Sequence, residues 1–277
     1  MFSIMLFRRW KETQGQKRTI EERNKLVELK NEEILDSISY AKRIQNAILP
    51  SESMLKEHLK GSFVFYKPKD IVAGDFYWLE HKDGKVLFAA ADCTGHGVPG
   101  AMISVVCNNG LNRSVLEFGL TDPGQILDKT REIVIHEFEK SDDDVKDGMD
   151  IALCSLEGNK LHYAGANNPL WIVRNGEVLE TKVHKQPISK FDNLVNFQTN
   201  TVELQKGDTI YIFSDGYVDQ FGGEKGKKFM TRAFHELLIS IQDKSMEEQK
   251  IHLDDVFETW KGNLEQIDDV CVIGVKI

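Results

Sequence analysis

Long apolar runs are missing from this 277-residue sequence: the longest, Met1–Phe7 and Val86–Ala91, fall far short of the roughly 18 residues a spanning helix needs. That argues against a polytopic helical membrane protein. Proline is scarce, at six residues, and no biased tract interrupts the chain; with 41% hydrophobic residues, a core can form and wholesale disorder is excluded. The four cysteines, Cys93, Cys107, Cys154 and Cys271, show no CxxC and no paired spacing. Each sits in an apolar run, which reads as reduced and cytoplasmic. Basic charge is also short, with 35 Lys+Arg against 44 Asp+Glu. Residues 1–60 hold 12 basic and 9 acidic side chains, so the remainder holds 23 and 35. An acidic body of this kind repels phosphate backbones, so no nucleic-acid partner is expected and metal ions are.

What is present divides into segments. The apolar opening runs into Arg8, Arg9, Trp10 and Lys11 without a small-residue cleavage site. Residues 1–18 therefore read either as a flexible lead or as the cytoplasmic end of a membrane helix, at the inner face of the bilayer. Residues 19–50 form a helical linker: Ile20, Val27, Ile34, Ala41 and Ile48 recur every seventh residue, beside a mostly polar row of Asn24, Asn31, Ile38 and Gln45. This suits either a dimeric coiled coil or a helix packed on its own domain. Pro50 ends it.

Over residues 51–277 the pattern changes to short β-type runs. Ser62–Tyr66, Asp75–His81, Lys85–Ala91, Asp150–Leu156, Lys160–Ala164, Leu170–Arg174, Val178–Thr181, Phe197–Leu204, Thr209–Phe213 and Val270–Ile277 read as strands. Lys82-Asp83-Gly84, Glu157-Gly158-Asn159 and Asn175-Gly176 are hairpin turns by their chemistry. Helical periodicity is confined to Pro99–Phe118, Pro123–Glu139, Phe229–Gln242 and Met246–Asn263. Helices grouped around consecutive hairpins predict a layered α+β sandwich rather than a doubly wound parallel sheet.

Four carboxylate positions stand alike at strand boundaries: Asp75 in VAGDFYW, Asp92 in AAADCTGHG, Asp215 in IYIFSDG and the Asp268-Asp269 pair in EQIDDVCVIGV. Acidic groups at the ends of buried strands are costly unless a cation or hydrogen bonds compensate them. Their joint placement points to a metal site, and an all-oxygen set selects Mg²⁺ or Mn²⁺. Two such ions would suit an in-line phosphoryl displacement by water. In DCTGHGVPGAM, Gly95 and Gly97 permit close backbone approach and Pro99 opens a helix whose N-terminus suits an anion; a simple strand-to-helix turn explains the same glycines. The acidic stretch Ser141–Asp144 lacks calcium-loop spacing and reads as a solvated loop.

The ordered series AGDFY, ADCTGHGVPGA, AGANNPLWIVRNG, IFSDG and DDVCVIGV resembles the metal-dependent type 2C serine/threonine protein phosphatases, in their bacterial SpoIIE/RsbU branch, and RIQNAILPS before the domain resembles that branch too. The resemblance implies an α/β/β/α sandwich of two antiparallel sheets flanked by helices. It implies that Asp92 bridges two Mn²⁺ or Mg²⁺ ions, with Asp75 and the Cys93 carbonyl on one and Asp215 and Asp268 on the other. Asp269 is the alternative to Asp268. His96 is the candidate leaving-group acid, and Gly95, Gly97 and Lys69 are candidates for holding phosphate; Lys69 could equally be a solvated lysine. Asn167 stands where some relatives carry an Asp for a third ion, which is not expected here. The implied substrate is a phosphoprotein, an anti-sigma-factor antagonist of a partner-switching circuit, with the helical lead dimerising and coupling to an upstream sensor. A silent partner-binding scaffold and a metal-dependent nucleotide phosphodiesterase are the two rival readings.

Overall fold

The computed structural model describes residues 2–140 and 146–277, so the stretch Ser141–Asp144 lies outside the described residues. The chain divides into two compact units, Met1–Ile44 and Gln45–Ile277. In chain order the elements are α1 (Phe2–Ile48), α2 (Glu52–His58), β1 (Ser62–Lys67), β2 (Phe76–Lys82), β3 (Lys85–Cys93), α3 (Gly97–Leu116), α4 (Pro123–Phe138), β4 (Met149–Glu157), β5 (Lys160–Ala166) and β6 (Leu170–Arg174). There follow β7 (Glu177–Glu180), β8 (Asn200–Glu203), β9 (Thr209–Phe213), α5 (Gly216–Asp219), β10 (Phe221–Gly222), β11 (Lys227–Lys228), α6 (Thr231–Ser240), α7 (Met246–Lys261) and β12 (Val270–Lys276).

The first unit is helix α1 up to Ile44. It begins at Phe2, well upstream of the heptad pattern, so residues 2–18 are helical. No proline interrupts them, and Arg, Lys, Glu and Gln are good helix formers. The heptad residues Ile20, Val27 and Ile34 are 55–57% exposed. No helix among the described residues is long and apolar enough to cross a membrane.

In the second unit two five-stranded antiparallel sheets stack, with orders β1-β12-β9-β6-β7 and β2-β3-β4-β5-β8. Alternation along each strand explains the layering, because successive side chains point to opposite faces. In β3, Phe88 and Ala90 face the other sheet with Ala152, Cys154, Ile212 and Ile273. Leu87, Ala89 and Ala91 face α3 and α4. On the far side Tyr211, Phe213 and Val272 meet Phe234, Leu253 and Phe257 from α6 and α7. The result is a four-layer α/β/β/α sandwich, with Trp171, Trp78 and Tyr211 in the core.

The hairpin turns fall where the chemistry places them. Asp83 and Gly84 (φ 52° and 76°) and Asn175 and Gly176 (φ 52° and 79°) are successive positive-φ pairs joining β2 to β3 and β6 to β7. Several boundaries differ from expectation by two or three residues: α3 opens at Gly97, with His96 at its N-cap, rather than at Pro99, and β3 runs on to Cys93. The run Phe197–Leu204 forms a strand only at Asn200–Glu203, because Phe197 turns into the core beside α4 and its N–H is held by the Asp128 carboxylate at 3.2 Å. Helix α6 starts at Thr231 rather than Phe229, since Met230 has φ 74°. All four cysteines are buried and unbridged.

Candidate metal centre

The inter-sheet core ends, at one edge, in carboxylates. Asp92 continues the Phe88–Ala90 face of β3, and Asp150 lies directly opposite it on β4. Asp215 follows β9 and Asp268 precedes β12, so the second sheet delivers its two from adjacent strands. Asp92, Asp150, Asp215 and Asp268 line one cavity of about 270 Å³ together with Cys93, Thr94, Gly95 and His96. Among the described residues, no Lys or Arg lines it. Asp75 is not part of that lining; it sits behind, 2% exposed, where the β2–β3 register places it beside Asp92.

The electrostatics follow from like charges in a dry place. Burial pushes Asp92 well above the ordinary carboxylate range, and Asp215, Asp268 and Asp150 push it further. Burial likewise raises Asp75, as does the charge of Asp92, against a hydrogen bond from Ser214. Asp215 is pushed up to about 6 by burial and then by Asp268, Asp219 and Asp150. Asp150 is raised by burial, although the Asn167 amide donates to its Oδ1 at 2.8 Å. Asp75 Oδ2 is buried without a hydrogen-bond partner.

The two residues of the Asp268-Asp269 pair are distinguished. Both oxygens of Asp269 are taken by backbone amides, Oδ1 from Lys69 and Oδ2 from Gly74, each at 2.7 Å. Asp269 therefore ties the loop carrying Asp75 to β12, while the Asp268 side of the pair faces the cavity. Of the anion candidates, Gly95 and His96 line the cavity and Gly97 and Lys69 do not. His96 is half-exposed, with Nδ1 2.9 Å from Asp70 Oδ2 and Nε2 3.0 Å from Lys69 Nζ.

Three backbones converge on one carbonyl here. A Cβ built on Gly74 would lie 2.2 Å from the Gly95 oxygen, and one on Gly100 would lie 2.1 Å from it. Gly74→Ala should therefore push the Asp75 loop away from β3, costing about 1–3 kcal/mol of stability; chemical denaturation with and without Mn²⁺ measures both this loss and an expected weakening of ion binding by at least tenfold.

Two contributors were not singled out from sequence. Asp150 stands at the mouth of an apolar strand like the others, but in the sequence it closes the acidic run that begins at Asp142 and includes Asp147, which reads as a solvated loop. Gln45, in the polar row of the heptad pattern, is 4% exposed. Its side chain accepts from the Ala73 N–H at 3.1 Å and donates to the Ala73 carbonyl at 2.6 Å and Ser104 Oγ at 3.0 Å. Gln45→Ala would leave these buried groups unpaired, at about 2–4 kcal/mol, and should lower the melting temperature and loosen the loop that carries Asp75; calorimetry and amide exchange at Ala73–Asp75 test it.

The donors suit a hard cation. They are all carboxylate oxygens, they repel one another, one oxygen is orphaned, and no basic side chain lines the cavity to neutralise them. Among the described residues, no three ligating side chains already close on a single point. That is what uncompensated like charges do, and Mg²⁺-type ions need few protein ligands because they keep several waters.

The family model for stage II sporulation protein E (SpoIIE) matches residues 82–277. The chain belongs to the SpoIIE family. The SiaA-PP2C domain of Pseudomonas aeruginosa is 30% identical and superposes with a TM-score of 0.81, over 89% of this chain and 98% of that one. The PP2C phosphatase domain of SpoIIE from Bacillus subtilis, with a fragment of its regulatory domain, is 18% identical with a TM-score of 0.63, over 78% and 62%. The RsbU and RsbW domains of a Mycobacterium tuberculosis protein are 18% identical with a TM-score of 0.61, over 78% and 59%. At 18% identity these last two show the shared fold. No curated protein matches the sequence significantly. The SpoIIE-family chain is thus homologous to PP2C serine/threonine phosphatase domains, and it shares their two-sheet sandwich.

Proposed function

We propose that the chain hydrolyses phosphoserine or phosphothreonine on a protein with the help of two Mn²⁺ or Mg²⁺ ions, which Asp92, Asp75, the Cys93 carbonyl, Asp215 and Asp268 would hold. The observation that carries this reading is the cavity in which carboxylates from both sheets meet with no basic side chain among them. Asp269 is then a positioning residue, its oxygens already occupied. When bound, the ions would neutralise phosphoryl charge and make water more acidic. The chain's own groups orient and exclude: the buried carboxylates fix where the ions sit, and the Gly95–His96 edge borders the space left for phosphate. His96, with Nδ1–H donating to Asp70 and Nε2 accepting from the Lys69 ammonium, can pass a proton to the leaving group once Lys69 moves aside and Nε2 has taken one up.

The substrate is an anti-sigma-factor antagonist by analogy with the SpoIIE and RsbU branch, and the chain acts in the cytoplasm or at the inner face of the membrane. Residues 51–277 form the phosphatase domain, and the helix before it dimerises and couples to an upstream sensor. A cavity lined by no Phe, Tyr, Trp, Lys or Arg offers no platform for a nucleotide base, which favours phosphoprotein over nucleotide. The test compares turnover of a phosphoserine peptide and a cyclic dinucleotide by the full chain with Mn²⁺. Peptide turnover that vanishes with chelator is expected; cyclic dinucleotide turnover alone, or no ion binding by calorimetry, overturns it.

A further inference from the structure

The geometry points to a second binding site on the molecule: the free edge of β1 accepts an extended, acidic peptide segment of a partner protein as an added strand. This holds whatever the carboxylate centre does.

Among the described residues, strand β1 is the outer strand of its sheet and pairs only with β12. Gly61 accepts from the Lys276 N–H at 2.8 Å, which sets the alternation. Gly61, Phe63, Phe65 and Lys67 turn their backbone groups to β12, and Ser62, Val64 and Tyr66 turn theirs outward. Those outward groups face a groove of about 700 Å³ that follows the whole strand. Their repeat of about 6.8 Å is the repeat of an extended chain and of nothing smaller.

Other edge strands are protected by the usual devices. Strand β7 carries Glu177 and Glu180, β8 is four residues long and polar, and β2 carries Glu80, His81 and Lys82. Strand β1, SFVFYK, carries no charge before Lys67 and no proline. Its side chains are already used: Ser62 Oγ donates to the Leu59 carbonyl and Tyr66 Oη to that of Asp75. What remains on offer is backbone.

The walls select the occupant. On one side α2 supplies Leu55 and β2 supplies Tyr77, which suit apolar side chains at alternate positions. On the other, α7 supplies a polar rim. Lys67 is neutralised by Asp254 and Glu258, each at 2.7 Å, and Lys56 by Glu52 at 3.4 Å. Lys60 and Lys250 have no ion-pair partner among the described residues, against one such acid, Glu247. Glu258 is shared with Lys261, 2.8 Å away, so Lys56, Lys60, Lys67, Lys250 and Lys261 face Glu52, Glu247, Asp254 and Glu258; the unmatched charge is one positive, which acidic side chains complement.

The test uses a fluorescein-labelled hexapeptide alternating Glu and Val, a Lys/Val counterpart, and the Glu/Val peptide N-methylated at alternate amides in each of the two registers. Anisotropy against the full chain should show saturable binding of the Glu/Val peptide, at least tenfold weaker binding of the Lys/Val peptide, and at least tenfold weakening in one N-methylated register. Exchange of the Ser62, Val64 and Tyr66 amides should slow in the complex. Lys60→Glu with Lys250→Glu, both at the surface, should reverse the Glu/Lys preference. Binding that ignores N-methylation in both registers, or no saturation at millimolar peptide, overturns the proposal. So does slowing of the same amides with protein concentration alone, which would make a second copy the occupant.

Discussion

Asp92→Asn should remove phosphatase activity and at the same time make the ion-free protein harder to unfold. The two effects share one cause. Asp92 faces Asp150 on β4, has Asp75 beside it just before β2, and is raised by burial and by the charges of Asp215, Asp268 and Asp150. Without a cation this cluster costs stability; with one, the same charges bind it. We expect at least about a thousandfold loss of kcat/KM, roughly 4 kcal/mol of transition-state stabilisation. The melting temperature of the chelated variant should rise by on the order of 5 °C. Mn²⁺ should raise the melting temperature of the unsubstituted protein and not that of the variant.

The pH dependence carries the same signature with a definite sign. Asp75, Asp92, Asp150 and Asp215 all hold protons more tightly folded than unfolded, so their folded pKa values lie above the unfolded carboxylate range near 4. Their contribution is therefore most favourable below that range and is lost as pH rises through the folded values, Asp215 at about 6 among them. Asp208 has the opposite sign: burial raises it, but Arg174, 2.6 Å away, carries it below its ordinary value, and its contribution is lost as pH falls. Chelated protein should accordingly lose stability between about pH 4 and 7, and Asp92→Asn should flatten that decline. A chelated melting curve indifferent to pH, or a variant that retains activity, would count against the centre.

Removing residues 1–44 should convert a dimer into a monomer whose sandwich is intact. The truncation point is set by the division at Gln45 and by what Gln45 does, since its three hydrogen bonds hold Ala73 and Ser104. The removed helix carries Ile20, Val27 and Ile34 more than half exposed, a seam that gains stability only when another helix covers it. Light scattering at micromolar concentration should give one chain for the truncated protein and two for the full chain. The truncated protein's near-ultraviolet dichroism should keep the signal of its buried Trp78 and Trp171. A monomeric full chain would leave the helix without the dimerising role.

Much of this was legible because strands advertise their own faces. Alternation in Lys85–Ala91 and the turn residues at Asp83-Gly84 and Asn175-Gly176 are local properties, and the fold obeys them. The strand-end carboxylates were legible for the same reason, since an acid beside an apolar run is a local anomaly. Asp150 and Gln45 were not, because what matters about each lies across the sheet or dozens of residues away: Asp92 for the first, Ala73 and Ser104 for the second.

By itself, then, the sequence determined most of the strands, their hairpins and the surplus of acid. Only the tertiary structure decided which acids face one cavity. Asp268 and Asp269 are adjacent and chemically identical, yet two backbone amides claim the second and leave the first toward the cleft. Pairing of β1 with β12, which brings residues near 69 to residues near 269, makes that division, and no local pattern encodes a contact between segments so far apart in the chain.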